Sequence, residues 1–274
     1  MTVPVAAPRL RPLRFWWWSA ALCVALLGGC DTASKDDLAG KGAEKLYAEA
    51  KDDMASGAWD RAIRSLQRVE GLAAGTLLAQ QASLELAYSY WKSGEKAQAL
   101  STVDRFIKLN PSSPAFDYAL YLRGLINFND DLGLLGGISN QDLSERDQRA
   151  SRDAYESFKQ LVDLYPASRY APDARLRMNY IVNSLAEYEV HVARYYYRRG
   201  AYLSAANRAQ AAVNDFQRSP AAEEALYIMA QSYERLGLPE LRDSADRVLR
   251  QNYPDSRYLR DGVRRRESAW WQVW

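Results

Sequence analysis

One phrase recurs four times along the chain and sets the interval of everything between: "NPSSPAFDYAL" from Asn110, "YPASRYAPDAR" from Tyr165, "FQRSPAAEEAL" from Phe216 and "YPDSRYLRDGV" from Tyr253. Each copy joins proline and serine to a helical restart. Proline after an apolar helical run ends a helix, and a Ser or Asp beside it can cap the next one. These phrases therefore read as joints between helix pairs. A single pair cannot bury its apolar face alone, so the pairs must stack into an all-α solenoid.

Between the joints, the spacing matches the tetratricopeptide repeat: a small residue, an aromatic three later, then Ala, then an apolar residue, then Pro. The clearest copy has Leu86-Ala87, Tyr90, Gly94, Ala99, Val103 and Pro111. Upstream lie Ala50, Gly57, Trp59, Ala62 and Leu66. Downstream come Gly124, Ala154, Phe158 and Pro166, then Ala193, Tyr196, Gly200, Tyr202 and Ala205, and finally Leu226, Ala230, Tyr233, Gly237 and Pro254. Five pairs result, covering about residues 40 to 258.

Two departures break the period. Between Asn127 and Phe158 the third repeat is too long by about 18 residues, including "NDDLGLLGGISNQDLSERD", whose glycines and mixed polarity predict a loop inserted between the two helices. From Asp173 to Arg199, 27 residues run without Gly or Pro. They predict a first helix of the fourth repeat about 40 Å long at 1.5 Å per residue.

Residues 1–29 carry Arg9, Arg11 and Arg14, no acid, and an apolar run from Phe15 to Leu27. A spanning helix needs about 20 apolar residues, whereas this build is that of a secretory leader. Leu27-Gly28-Gly29-Cys30 resembles the bacterial lipobox, which makes Cys30 the lipidated first residue of the mature chain. Residues 30–41 then form a linker, 42–168 the N-terminal repeats and 169–274 the C-terminal repeats and tail. Removing the three leader arginines turns the formal charge of +2 into −1, which argues against nucleic acid as a partner. With Cys23 discarded and Cys30 lipidated, no thiol is left for disulfide, metal or nucleophile.

The chemistry-bearing inventory is otherwise poor. His191 is the single histidine and lies in the long helical stretch a turn after Glu187; Asp52-Asp53 and Asp130-Asp131 read as a solvated helix face and a loop. With no metal-ligand spacing, phosphate loop or nucleophile elbow, no catalysis, metal or cofactor is expected beyond the covalent lipid. Binding is better supported. In tetratricopeptide folds the groove is lined by fixed positions of each first helix. Here these are Tyr47 and Met54, then Leu84, Tyr88 and Trp91, then Tyr118, Tyr121, Leu125 and Phe128. One reading packs these side chains between repeats; the other leaves an aromatic trough for an extended peptide. The corresponding positions downstream are more polar: Glu187, Val190, Arg194 and Tyr197, then Glu224, Tyr227, Gln231 and Glu234. The tail "RDGVRRRESAWWQVW" either continues a final helix whose tryptophans pack on the last repeat or on lipid headgroups, or, through Trp270, Gln272 and Trp274, imitates an outer-membrane strand and visits a groove.

The lipobox, the five repeats with their insertion, and the phrases "ALYLRGLINF", "LYPASRYAPDAR" and "HVARYYYRRGAYLSAANRA" together resemble the BamD family, lipoproteins of the β-barrel assembly machinery. The resemblance implies a non-enzymatic scaffold facing the periplasm from the outer membrane. The N-terminal repeats would receive unfolded outer-membrane proteins, and the C-terminal repeats would dock the barrel subunit BamA and accessory Bam lipoproteins. Arg194, Arg198 and Arg199 would be the ion-pair donors for docking. Asp31 instead resembles the signal that retains lipoproteins in the inner membrane of enteric bacteria, so an inner-membrane scaffold remains an alternative, as does a tetratricopeptide pilotin for a pilus or secretin.

Overall fold

A computed structural model describes residues 41–128 and 148–261. The leader, Cys30, Asp31, most of the third-repeat insertion, and the tail with Trp270, Gln272 and Trp274 lie outside the described residues. Eleven helices are described: α1 (Ala43–Ala55), α2 (Trp59–Leu72), α3 (Leu77–Lys92), α4 (Lys96–Leu109), α5 (Phe116–Asn127), α6 (Gln148–Leu164), α7 (Ala171–Arg198), α8 (Tyr202–Asp215), α9 (Ala221–Arg235), α10 (Pro239–Asn252) and α11 (Arg257–Asp261). Each first helix packs on its second, and each second helix on the first helix of the following pair. The fold is the expected tetratricopeptide-like stack. None of the described helices is long and apolar enough to cross a membrane.

The turns inside the pairs explain the glycine spacing. Gly57, Gly94, Gly200 and Gly237 each follow a first helix with φ between 71° and 87°, left-handed backbone where a Cβ is penalised. At the joints the structure corrects the expected capping. The hydroxyls of Ser113, Ser168, Ser219 and Ser256 do not sit at the N-cap; they accept from the N–H two residues on, at 3.2 to 3.3 Å. One hydroxyl thus spans the reversal before the helical run begins, which is a tighter device than a capped restart. Two of these serines also reach back to the preceding repeat, Ser113 Oγ donating to Gln80 at 2.9 Å and Ser168 Oγ to Asp117 at 2.7 Å.

Four apolar clusters follow one another along the stack. Leu46, Leu66 and Leu86 hold the first two pairs, Leu84, Val103, Phe106 and Leu122 the second and third, and Leu120, Phe158, Leu161 and Ile181 the third and fourth. Val190, Ala193, Ala209 and Ile228 hold the fourth and fifth. Helix α7 is the spine: Ala174, Ile181 and Leu185 belong to one cluster while Val190 and Ala193 belong to the next. Its 28 residues span about 42 Å, as the uninterrupted sequence predicts. Helices α5 and α6 cross closely: a Cβ on Gly124 would lie 2.4 Å from the Phe158 ring. Alanine serves at the equivalent positions of the other repeats, Ala50, Ala87, Ala193 and Ala230; only glycine admits a phenyl ring.

Candidate functional site

Aromatic residues on the first helices of the second and third repeats come together with Trp59 of α2 and with Tyr170 at the joint before α7. Trp59, at the start of α2, meets Tyr88 edge-on at 6.0 Å, and Tyr88 meets Trp91 at 5.8 Å. Further along, Tyr170 lies 5.4 Å from Tyr118 and stacks on Tyr121 at 4.8 Å. These rings are half-buried; Tyr88, Trp91 and Tyr118 pack against one apolar cluster and Tyr121 and Tyr170 against the next. Such placement follows from an amphipathic side chain on the rim of an apolar stripe.

Carboxylates stand at both ends of this row. Glu85 Oε1 accepts from the Tyr47 hydroxyl at 2.9 Å and pairs with Lys51 Nζ at 2.8 Å. Burial, and then the hydrogen bond to Glu85, push the Tyr47 phenol up to about 12. Burial also raises Tyr118, with Tyr170, Tyr88, Glu85 and Tyr121 adding to the effect. At the far end Asp173 accepts from Tyr121 at 2.7 Å and from Arg177 at 2.6 Å. Burial alone would raise the Asp173 carboxyl, but those two hydrogen bonds and the Arg177 charge hold it below its ordinary value.

Not every residue expected in the trough is open. Leu84 and Phe128 are 4% and 8% exposed. Leu84 lies in the second apolar cluster, and Phe128 is held edge-on by Phe158 and Tyr180 with the Arg177 guanidinium over its ring at 4.9 Å. Both are interior side chains, because a first-helix position faces the groove only where the neighbouring helix leaves it uncovered. Tyr47, Tyr88, Trp91, Tyr118 and Tyr121 remain partly open. The structure adds Glu85, Tyr170, Asp173 and Arg177. Of these, Tyr170 could have been found in the sequence, since Ser168-Arg169-Tyr170 is repeated as Ser256-Arg257-Tyr258.

The polar half is organised differently. Arg194 is not a free docking cation: its guanidinium grips Glu224 Oε1 at 2.6 and 2.7 Å, while Glu224 Oε2 accepts from the Tyr258 hydroxyl at 2.9 Å. That partner, 30 residues on in the chain, lies in the next first helix. Arg198 is exposed, and Arg199 lies over the Tyr195 ring at 5.4 Å. The buried Glu189 is met by Arg208 at 3.1 Å.

A family model described as "YfiO: Outer membrane lipoprotein" matches residues 40–249. The chain is 44% identical to a Neisseria meningitidis serogroup B protein named outer membrane protein assembly factor BamD, over 84% of this chain and 86% of that one. It is 38% identical to the BamD of Xylella fastidiosa, over 86% and 80%, and 33% identical to that of Vibrio cholerae, over 88% and 99%. The chain belongs to the YfiO family of outer membrane lipoproteins, whose curated relatives are named as outer membrane protein assembly factors rather than enzymes.

Proposed function

We propose that this chain is a non-enzymatic scaffold of the β-barrel assembly machinery, anchored to the outer membrane through lipid on Cys30, whose N-terminal repeats bind unfolded outer-membrane proteins. The observation that carries this is the row of half-open rings from Trp59 through Tyr88, Trp91, Tyr118 and Tyr121 to Tyr170. Such rings offer a large contact area with little rotamer freedom to lose, which suits an extended segment bearing apolar and aromatic side chains. The C-terminal repeats dock a BamA-like barrel subunit and accessory Bam lipoproteins, with Arg198 and Arg199 as the cations offered at the end of α7.

A photo-cross-linking residue at Tyr88 or Trp91 should capture nascent barrel proteins in cells, and the Tyr88→Ala, Trp91→Ala pair should reduce capture at Tyr118 at least tenfold. Undiminished capture would remove the trough as the receptor. Replacing Arg198 and Arg199 with glutamate should strip the barrel subunit from the purified complex while leaving peptide cross-links intact. Cys30→Ser should release the chain from the membrane fraction. Recovery of the wild type in inner-membrane vesicles would mean that Asp31 governs its sorting, and co-purification of a secretin in place of a barrel subunit would replace the assembly reading with the pilotin one.

A further inference from the structure

Glu85 holds an unused acceptor. Its Oε1 is doubly engaged by Tyr47 and Lys51, but its Oε2 is buried and has no hydrogen-bond partner among the described residues. A buried carboxylate oxygen without a donor is destabilising until one is supplied. At its end of the row the carboxylate still has rings of two repeats about it: Glu85 touches Tyr47 of the first repeat, and its charge acts on Tyr118 of the third. At the other end of the row the Tyr121 hydroxyl and Arg177 likewise both donate to one oxygen, Asp173 Oδ2, but that side chain is 44% exposed and water can serve its second oxygen. The Glu85 side chain is 19% exposed, and a carboxylate turns readily about its last bond.

We propose that Glu85 sets the specificity of the trough, accepting a hydrogen bond from the bound segment and excluding segments with an acidic side chain at that register. This rests on the trough being the peptide receptor, and it names the chemistry of the segment: aromatic residues flanking a neutral donor or a cation. A donor meets the unfilled acceptor directly, and a cation adds charge assistance. A carboxylate placed there faces Glu85 at close range and leaves Oε2 unpaired.

The test uses the full-length chain in detergent and three fluorescent nine-residue peptides that differ only at the residue between two aromatics, which is Lys, Gln or Glu. Anisotropy should rank them Lys, Gln, Glu, with at least a tenfold gap between the first and last. Glu85→Gln should shrink that gap below threefold while keeping the Gln peptide bound. Lys51→Ala, at an exposed position, frees Glu85 from its own cation and should widen the gap, which covers the case of a Glu85 variant that folds poorly. Equal binding of all three peptides, or an unchanged ranking in Glu85→Gln, overturns the donor rule and leaves the receptor standing. If no peptide binds, the rule and the receptor fall together.

Discussion

The joint that opens the fourth repeat and the joint that opens α11 have the same three residues, Ser168-Arg169-Tyr170 and Ser256-Arg257-Tyr258, and the same local geometry. In each, the arginine lies over its neighbouring tyrosine, at 4.7 and 4.8 Å. In each, that tyrosine stacks on another eight residues past the preceding joint serine, Tyr121 at 4.8 Å and Tyr227 at 5.7 Å. What differs is the residue five past that serine. It is Tyr118 beside the first joint and Glu224 beside the second. With tyrosine there, the joint becomes part of a half-open aromatic surface. With glutamate there, it becomes a closed relay running Arg194, Glu224, Tyr258, Arg257. One substitution in a repeated frame separates a half-open aromatic surface from a clasp that holds the solenoid's end.

The comparison breaks most visibly at Glu224. Its alanine variant strands Arg194 and the Tyr258 hydroxyl and should cost about 3 kcal/mol, read from urea unfolding, whereas Glu85→Ala should cost about 1 kcal/mol because the partners it releases are near water. Equal losses would mean that the two halves are not differently built. Next in size, Gly124→Ala drives a methyl into the Phe158 ring and should cost about 1 to 3 kcal/mol; the same change at Gly71, with open space around it, should cost nothing and slightly favour its helix. Removing hydroxyls sharpens the contrast further. Tyr258→Phe loses a bond to a charged acceptor, about 1.5 kcal/mol, while Tyr170→Phe, whose hydroxyl meets only exposed Arg169, should change stability by less than about 0.5 kcal/mol.

The smallest effect is a titration. Tyr47 is favoured in its neutral form, so its contribution is complete below the ordinary phenol value of about 10 and is lost as pH rises through that value to about 12. Among the tyrosines that titrate late, the part of the tyrosinate absorbance due to Tyr47 is the difference that Tyr47→Phe removes, and Glu85→Gln should move it downward. A step unmoved by Glu85→Gln would leave burial as its whole cause.

The repeat positions were readable from spacing because they answer to local geometry: Ala87 and Tyr90 lie where a helix crossing requires a small residue and a filler, whatever the neighbours are. Sites made by pairs far apart in the chain were not. Arg194 looks like a free cation until Glu224 is placed beside it, and Glu85, one residue past Leu84, falls outside the groove template although it reaches Tyr47 across repeats. Phe128 shows the converse, a residue on the groove template that its neighbours enclose. Periodicity identifies which face a side chain occupies on its own helix, and only packing decides whether that face is covered.

The ring of Phe158 against the backbone of Gly124 also bears on how this family can diversify. The insertion is carried between two helices whose separation is pinned by that contact, within a turn of where the extra sequence begins. Residues added or removed there should leave the spacing of the stack unchanged, so the third repeat offers a place where sequence can change while the aromatic row upstream and the clasp downstream keep their register.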